Sequence, residues 1–156
     1  MSLTSFYSSL CAQLSGLLTD ERDWLANTAN ASALLFLELR DINWAGFYFL
    51  YGDELRLGPF QGKPACTRIA VGSGVCGTAL ASGESQLVED VHQFPGHIAC
   101  DAVSASEVVI PLYAGGRCLG VLDIDSPSLA RFDAEDLAGL EAFAQVLLDH
   151  SDTPGA

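Results

Sequence analysis

The chain has 156 residues, of which 49% are hydrophobic and 17% charged, and its 20 acidic against 7 basic residues give a formal net charge of −13. This length and apolar content predict one compact domain. The acidic excess argues against binding nucleic acid or an anionic membrane, because both attract clustered lysine and arginine. No apolar run is long enough to cross a bilayer, and residues 1–5 lack the basic start of a signal peptide. We therefore predict a cytoplasmic protein.

The first half of the chain predicts two helices, three strands and a short third helix. The long helices follow from apolar side chains at helical spacing, and the strands from short apolar runs bounded by glycine and proline. In chain order these elements are helices at 2–18 and 21–39, strands at 43–51, 54–60 and 67–71, and a helix at 75–83. Trp44 and Tyr48 share one face of the first strand, because side chains alternate along a strand.

The second half predicts a strand at 85–88, a hairpin of strands at 107–113 and 117–125, and a last helix that Asp133 caps. Both hairpin strands are apolar on both faces, which indicates a sheet covered on two sides. The long polar loop at 89–104 is typical of a functional or mobile segment. We predict an α+β fold in which residues 1–150 form a single domain and residues 151–156 a disordered tail.

Three of the five cysteines, Cys66, Cys76 and Cys100, lie among glycine, proline and small residues, where a loop can expose a thiol to solvent. An odd cysteine count in a cytosolic chain favours redox or metal chemistry over a disulfide framework. The glycines around Cys76 are predicted to place it near a helix N-terminus, where a thiolate is favoured. Cys118 lies in an apolar run and is predicted to be a core residue, whereas Cys11 lies inside the first helix with no evident partner.

Three other interpretations of these motifs stay open from the residues alone. Residues 72–77 match the G-x-G-x-x-G pattern, but dinucleotide binding needs a parallel βαβ unit, which hairpin-linked strands disfavour. A zinc site is disfavoured, because its ligands would be widely spaced in the sequence and no Cys-x-x-Cys pair occurs. Its candidate ligands are Cys66, Cys76, Cys100, His92 and His97. A cysteine hydrolase would need a histidine base, for which His97 is the candidate because it lies near Cys100.

Asp123 and Asp125 share one face at the end of an apolar strand, where half-buried acids cost solvation free energy unless they are paired. Glu107, at the start of the neighbouring strand, is the natural third member of an acidic site. A two-residue turn with unbroken pairing would put Glu107 opposite Ile124, on the wrong face of the sheet. The three carboxylates therefore meet only if the hairpin has an odd loop or a bulge, which Pro111 makes plausible.

Several motifs of this chain resemble those of the free methionine-(R)-sulfoxide reductases, enzymes built on a GAF domain. They are residues 43–48, 58–66, 74–79, 97–101, 106–107 and 120–126, which read NWAGFY, GPFQGKPAC, GVCGTA, HIACD, SE and GVLDIDS. The similarity covers nearly the whole chain up to the last helix. It implies a GAF-like fold, with a six-stranded antiparallel sheet flanked by helices on its faces, and a homodimer.

The same resemblance implies that Cys100 is the catalytic nucleophile, Cys66 the principal resolving cysteine and Cys76 a further redox or supporting thiol. The substrate-binding residues that it implies are Trp44, Tyr48, Glu107, Asp123 and Asp125. The implied reaction reduces free methionine-(R)-sulfoxide through a cysteine sulfenic acid and an intramolecular disulfide, which a thioredoxin-type reductant recycles, without metal or organic cofactor. The chief alternative is a non-catalytic GAF sensor that binds a small ligand in the same pocket.

Overall fold

The computed structural model of the chain describes residues 2–97, 100 and 102–155. In chain order the elements are α1 (Leu3–Leu17), α2 (Trp24–Glu38), β1 (Trp44–Tyr51), β2 (Glu54–Gly62), β3 (Arg68–Ala70), α3 (Gly74–Ser82), β4 (Gln86–Val88), a 3-10 helix (Val91–Gln93), β5 (Ser106–Ala114), β6 (Arg117–Ser126) and α4 (Ala134–Asp149). The predicted helices and strands are all present, with ends shifted by a few residues. Among the described helices, none combines the length and the apolar character needed to span a membrane.

Side-chain caps mark where the three long helices begin, and at the start of α1 Ser2 Oγ accepts from the Ser5 N–H at 3.1 Å. Asp23 accepts a hydrogen bond from the Ala26 N–H at 2.8 Å at the start of α2. At the start of α4, Asp133 accepts from the Asp136 N–H at 2.9 Å, and the Asp136 carboxylate accepts from the Asp133 N–H at 3.0 Å. This reciprocal capping box confirms the predicted start of the last helix, because each carboxylate satisfies a backbone donor that the helix leaves unpaired.

The six strands pair antiparallel in the order β3-β2-β1-β6-β5-β4. Helices α1, α2 and α4 cover one face, where Phe47 and Phe143 are fully buried. The other face packs against α3 and carries a second buried cluster that includes Trp44, Tyr48 and Val121. The sheet is therefore covered on both faces, as the apolar strands predict, and Trp44 and Tyr48 share the face next to α3.

A bulge in β6 sets the register of the β5–β6 hairpin. Next to the turn, Tyr113 pairs with Cys118, whereas the next pair along the ladder joins Leu112 to Gly120. Leu119 is therefore an extra residue on β6 with no counterpart on β5. Such an insertion moves every later residue of the strand by one pairing position.

The shifted register brings Glu107 opposite Asp125 instead of Ile124. The predicted bulge is thus confirmed, and it puts the acids of the two strands on one face. Its position differs from the one suggested by the sequence, because Pro111 keeps its place in the ladder and the irregularity lies nearer to the turn.

The first two residues of the predicted tail contact the rest of the chain. Ser151 is 5% exposed, donates a hydrogen bond to the Leu147 carbonyl at 2.7 Å and accepts one from Asn27 Nδ2 at 3.0 Å. Asp152 forms an ion pair with Arg22 at 2.7 Å. These contacts hold the end of the chain against the start of α2. Local composition could not reveal them, because the partners lie more than 120 residues away in the sequence.

The bulge makes a glycine necessary at position 120. Gly120 has φ +148°, and a Cβ built on it would overlap the carbonyl oxygen of Tyr48 on β1. We expect Gly120→Ala to destabilise the protein by about 2–4 kcal/mol, because the methyl group meets backbone and the conformation disfavours L-residues. Denaturant unfolding followed by circular dichroism measures the change in the free energy of unfolding.

Gly16→Ala is the matched control, since Gly16 lies within α1 and a Cβ built on it meets no atom within 4 Å beyond its chain neighbours and the backbone of its own helix. It should leave stability unchanged or raise it by up to about 1 kcal/mol. A Gly120→Ala variant as stable as the wild type would refute the close approach of β6 to β1.

Candidate active site

The acids and aromatics predicted for the site lie in adjacent rows on the face of the sheet next to α3. One row joins Trp44 on β1 to Asp125 on β6 and Glu107 on β5, and the next row joins Gly46 to Asp123. Directly paired residues of neighbouring strands have Cα atoms about 4.5–5.5 Å apart. The three carboxylates and the first aromatic residue therefore form one continuous patch.

A pocket opens over this patch, with an empty volume of about 550 Å³ that includes its open mouth. This is within the size range of small-molecule sites, about 300–1,000 Å³. Its lining comes from β1, β3, β5, β6, α3 and three loops. The predicted site residues found in the lining are Trp44, Tyr48, Cys76, Cys100, Glu107, Asp123 and Asp125. Side chains that are far apart in the sequence thus meet around one cavity.

Cys66 and Cys100 form a disulfide, with Cα atoms 5.5 Å apart and a sequence separation of 34. Both are partly exposed. The Tyr48 hydroxyl donates a hydrogen bond to the Cys66 carbonyl at 3.0 Å, which holds this cysteine beside the aromatic wall of the pocket. The disulfide removes both residues from the ligand set of the zinc site considered above. Cys11 and Cys118 are half-buried and do not belong to the pocket lining.

Two aromatic rings, those of Trp44 and Tyr48, form the wall of the pocket, and the ring of Phe60 stacks on Trp44. Trp44 stacks on Phe60 with ring centroids 5.2 Å apart and on Tyr48 at 5.8 Å. The indole N–H of Trp44 donates to the Lys63 carbonyl at 3.2 Å. Phe60 fits there because a Cβ on Gly46 would overlap it. Phe60 is not among the predicted site residues, although it lies in one of the motifs that carry the resemblance.

The carboxylates of the floor are deeply buried, Glu107 being 7% and Asp123 5% exposed. Burial, followed by repulsion from Asp123 and Asp125, raises the pKa of Glu107 well above its usual value near 4.5. Burial also raises the pKa of Asp123, whereas hydrogen bonds from Glu107 and Cys76 lower it. Glu107 therefore holds a proton more tightly than an exposed glutamate does, because burial and both neighbouring aspartates act in the same direction.

The thiol of Cys76 is neither accessible nor ionised, in contrast to the thiolate that was predicted. This residue lies in the first turn of α3 but is only 4% exposed, and its Sγ is 4.0 Å from Glu107 Oε2. Burial, followed by the charges of Asp123, Glu107 and Asp125, raises the pKa of this thiol well above its usual 9.0. The predicted thiolate is wrong, because burial and three nearby carboxyl groups outweigh the favourable end of a short helix.

His97 lines the pocket, and its ring lies 6.4 Å from that of His92 in an edge-to-face arrangement. Burial, followed by the charge of His92, lowers the pKa of His97 below its usual 6.5, so its imidazole is neutral near pH 7. Ile98, Ala99 and Asp101, the neighbours of Cys100 in its motif, lie outside the described residues. Ser104 also lines the pocket, although its sequence context carried no signal of this.

Comparison with known proteins gives concordant results. The model of the GAF domain family matches residues 28–147. A free methionine-R-sulfoxide reductase of Escherichia coli (strain K12) is 56% identical over 140 residues, covering 90% of this chain and 85% of that protein. Its namesake in Saccharomyces cerevisiae is 46% identical over 140 residues, covering 85% and 78%.

Among solved structures, the X-ray structure of free methionine-R-sulfoxide reductase from Neisseria meningitidis in complex with its substrate superposes with a TM-score of 0.91. The two sequences are 45% identical, and the match covers 96% of this chain and 90% of the other. Identity at this level over most of both chains shows common family membership. The chain therefore belongs to the GAF domain family and, within it, to the free methionine-R-sulfoxide reductases.

Proposed function

We propose that this protein reduces free L-methionine-(R)-sulfoxide to L-methionine with electrons from a thioredoxin-type dithiol. The observation that carries the proposal is the Cys66–Cys100 disulfide beside a pocket with an acidic floor and an aromatic wall. The names of the relatives and the substrate complex of the Neisseria enzyme support the choice of substrate. A cytoplasmic location belongs to the same proposal, because that compartment supplies reduced thioredoxin-type donors.

The floor of the pocket suits a free amino acid. Asp123 is deeply buried and Asp125 half-buried on the same face of β6. Buried carboxylates need a cation or a proton nearby, and the ammonium group of a free amino acid supplies a cation. A methionine sulfoxide residue within a peptide has no ammonium group and would leave these acids uncompensated. The aliphatic side chain would then lie against the rings of Trp44 and Tyr48.

Cys100 is the proposed nucleophile. Its thiolate attacks the sulfoxide sulfur while the sulfoxide oxygen takes a proton, and the oxygen passes to Cys100 as its bond to the substrate sulfur breaks. The substrate sulfur is reduced by two electrons and Cys100 is oxidised to the sulfenic acid. The Cys66 thiol then attacks the sulfenic sulfur, water leaves and the disulfide forms. A dithiol donor reduces this disulfide and restores both thiols.

Glu107 is the proposed proton donor. A carboxylic acid donates a proton effectively at neutral pH only if its pKa is raised, and burial together with two aspartates raises that of Glu107. Its position opposite Asp125 puts it in the same row as the proposed ammonium site. Cys76 is the proposed supporting thiol, because its neutral S–H group faces the Glu107 carboxyl and can hold it in place.

The alternative of a non-catalytic sensor uses the same pocket without the redox step. A sensor needs the acidic and aromatic surfaces but has no use for two cysteines that join beside the cavity. The Cys66–Cys100 pair favours the enzyme for this reason.

A homodimer is part of the proposal, with the outer face of α2 as its contact surface. Apolar side chains remain exposed there, with Leu25 at 64%, Leu37 at 78% and Phe36 at 39%. Ala29 and Ala33 lie exposed between them at helical spacing, so this face has small residues at its centre and large ones at its ends. Two antiparallel copies would pack the large residues of one helix against the opposite end of the other.

The epimer-resolved activity assay tests the reaction. With dithiothreitol as donor, the free R epimer should be consumed and the S epimer should persist. Cys100→Ser should be inactive, because it lacks the nucleophile. Cys66→Ser should retain activity with dithiothreitol and fail mainly with thioredoxin, since only the intramolecular disulfide presents a substrate to thioredoxin. Cys118→Ser, outside the pocket, is the matched control. Persistence of the free R epimer would defeat the proposal and favour the sensor.

Glu107→Gln tests the proton donor, because glutamine keeps the shape but cannot transfer a proton. We expect kcat to fall about 100- to 10,000-fold with a smaller change in KM. The exposed Glu84→Gln is the control and should behave as wild type. A kcat within threefold of the wild type would show that Glu107 does not donate the proton.

The same variant tests the buried charge through stability. Because the pKa of Glu107 is higher in the folded than in the unfolded chain, the folded state binds its proton more tightly. Wild-type stability should therefore fall as the pH rises above about 4.5, up to the folded-state pKa. Glu107→Gln should lose less stability over the same pH range, because glutamine does not titrate. The Tm of the variant relative to that of the wild type should therefore increase from pH 5 to pH 8. A constant difference in Tm would contradict the raised pKa.

Ala33→Arg tests the dimer, because it places a charged side chain at the centre of the proposed contact. Sedimentation should give twice the 16.5 kDa chain mass for the wild type and the single chain mass for the variant. Gln13→Arg, on the exposed side of α1, adds the same charge and should stay dimeric. A wild type that sediments as a monomer would refute the dimer, and a dimeric Ala33→Arg would refute the contact surface.

A further inference from the structure

The floor of the pocket holds a thiol and two carboxyl groups close together. Cys76 Sγ and one carboxylate oxygen each of Glu107 and Asp123 all lie within 4.8 Å of one another. The three residues come from α3, β5 and β6, and each is more than nine-tenths buried. All three also line the pocket, so an ion can reach them from solvent by the path that the substrate would use.

One oxygen of the Asp123 carboxylate has no hydrogen-bond partner among the described residues. Asp123 is 5% exposed, and its Oδ1 atom makes no hydrogen bond to any residue in the described part of the chain. A buried carboxylate oxygen without a hydrogen bond is costly, because burial has removed the water that would solvate it. A cation bound between Asp123 and Glu107 would solvate this oxygen and would relieve the repulsion between the two acids.

The donor atoms indicate which kind of cation fits. Hard cations such as Ca²⁺ and Mg²⁺ require six or more oxygen ligands, whereas this cluster offers one sulfur and two oxygens. Zn²⁺ takes four ligands from sulfur, nitrogen and oxygen at about 2.0–2.3 Å. Around a tetrahedral ion with these bond lengths, neighbouring donors lie about 3.3–3.6 Å apart. The donors here lie within 4.8 Å of one another, so the side chains have to move inward by up to about 1 Å when the ion binds.

We propose that Cys76, Glu107 and Asp123 form a binding site for a divalent zinc-like metal ion at the floor of the pocket. The Cys76 thiol and the Glu107 carboxyl release their protons to solvent when the metal binds, and the fourth coordination position faces the cavity. This site differs from the zinc site considered from the sequence alone. Two ligands of that site, Cys66 and Cys100, are joined in a disulfide. The ion is not a cofactor of the reductase.

The metal ion would act as an inhibitor. Its position overlaps that assigned above to the ammonium group and the proton donor, so metal and methionine sulfoxide would exclude each other. This competition rests on the proposed function, whereas the binding of the metal does not, because it follows from the ligand atoms alone. Zinc would therefore suppress the reductase by occupying the acids that bind its substrate.

Cobalt titration of the oxidised, untagged protein tests the site. Co²⁺ replaces zinc in such sites, and its bond to a thiolate gives a charge-transfer absorption in the near ultraviolet. Because Cys66 and Cys100 are disulfide-bonded in this form, only the thiols of Cys76, Cys11 and Cys118 can give the signal. The wild type, Cys11→Ser and Cys118→Ser should develop the same absorption at one equivalent of Co²⁺, and Zn²⁺ should displace it.

Cys76→Ser should abolish the absorption, and Asp123→Asn should weaken Co²⁺ binding at least about tenfold. Circular dichroism of the metal-free variants checks that both are folded. Should Cys76→Ser fail to fold, Cys76→Ala replaces it. Absorption that persists without the Cys76 thiol, or no absorption in the wild type, would overturn the site.

Free methionine should compete with Co²⁺, because its ammonium group would occupy the same acids. Its failure to do so, with the absorption intact, would contradict the proposed ammonium position and leave the metal site standing.

Discussion

The acidic site depends on the register of the β5–β6 hairpin, and that register depends on one extra residue, Leu119. If the hairpin paired without the bulge, the Glu107 side chain would point to the face of the sheet where Val108 now packs. That face is the core covered by α1, α2 and α4. A carboxylate there would be buried among leucine and phenylalanine side chains without a partner, at a cost of several kcal/mol. The bulge avoids this cost and places three acids on the face that the pocket exposes.

The second consequence of that register is an electrostatic conflict at the floor of the pocket. Glu107 and Asp123 are buried beside each other and beside the Cys76 thiol, and burial raises the pKa of all three groups. Such a cluster lowers the stability of the folded chain at neutral pH. A ligand with a positive charge removes the conflict. The same arrangement is the basis for proposing both an ammonium site and a metal site in this pocket.

Local patterns in the sequence were sufficient for the elements of the fold and for part of the site. Alternation along β1 predicts the shared face of Trp44 and Tyr48, and the capping residue Asp133 predicts the start of α4. The need for a bulge also follows from the sequence, because regular pairing separates Glu107 from Asp125. These features depend on neighbouring residues or on one hairpin, so the information lies close together in the chain.

The features that were missed depend on contacts between distant segments. The glycines around Cys76 suggested an exposed loop, but Gly77 instead lets α3 pack closely, since a Cβ there would contact the Ala70 carbonyl at 2.6 Å. Phe60 reaches Trp44 only because Gly46 on the neighbouring strand leaves room for it.

The proposed binding mode is tested most directly by a crystal structure of the Cys100→Ser variant with free methionine-(R)-sulfoxide. It should show the sulfoxide sulfur about 3–3.5 Å from the residue 100 side chain and the ammonium group on the aspartates. A ligand bound elsewhere, or with its sulfur directed away from residue 100, would contradict it.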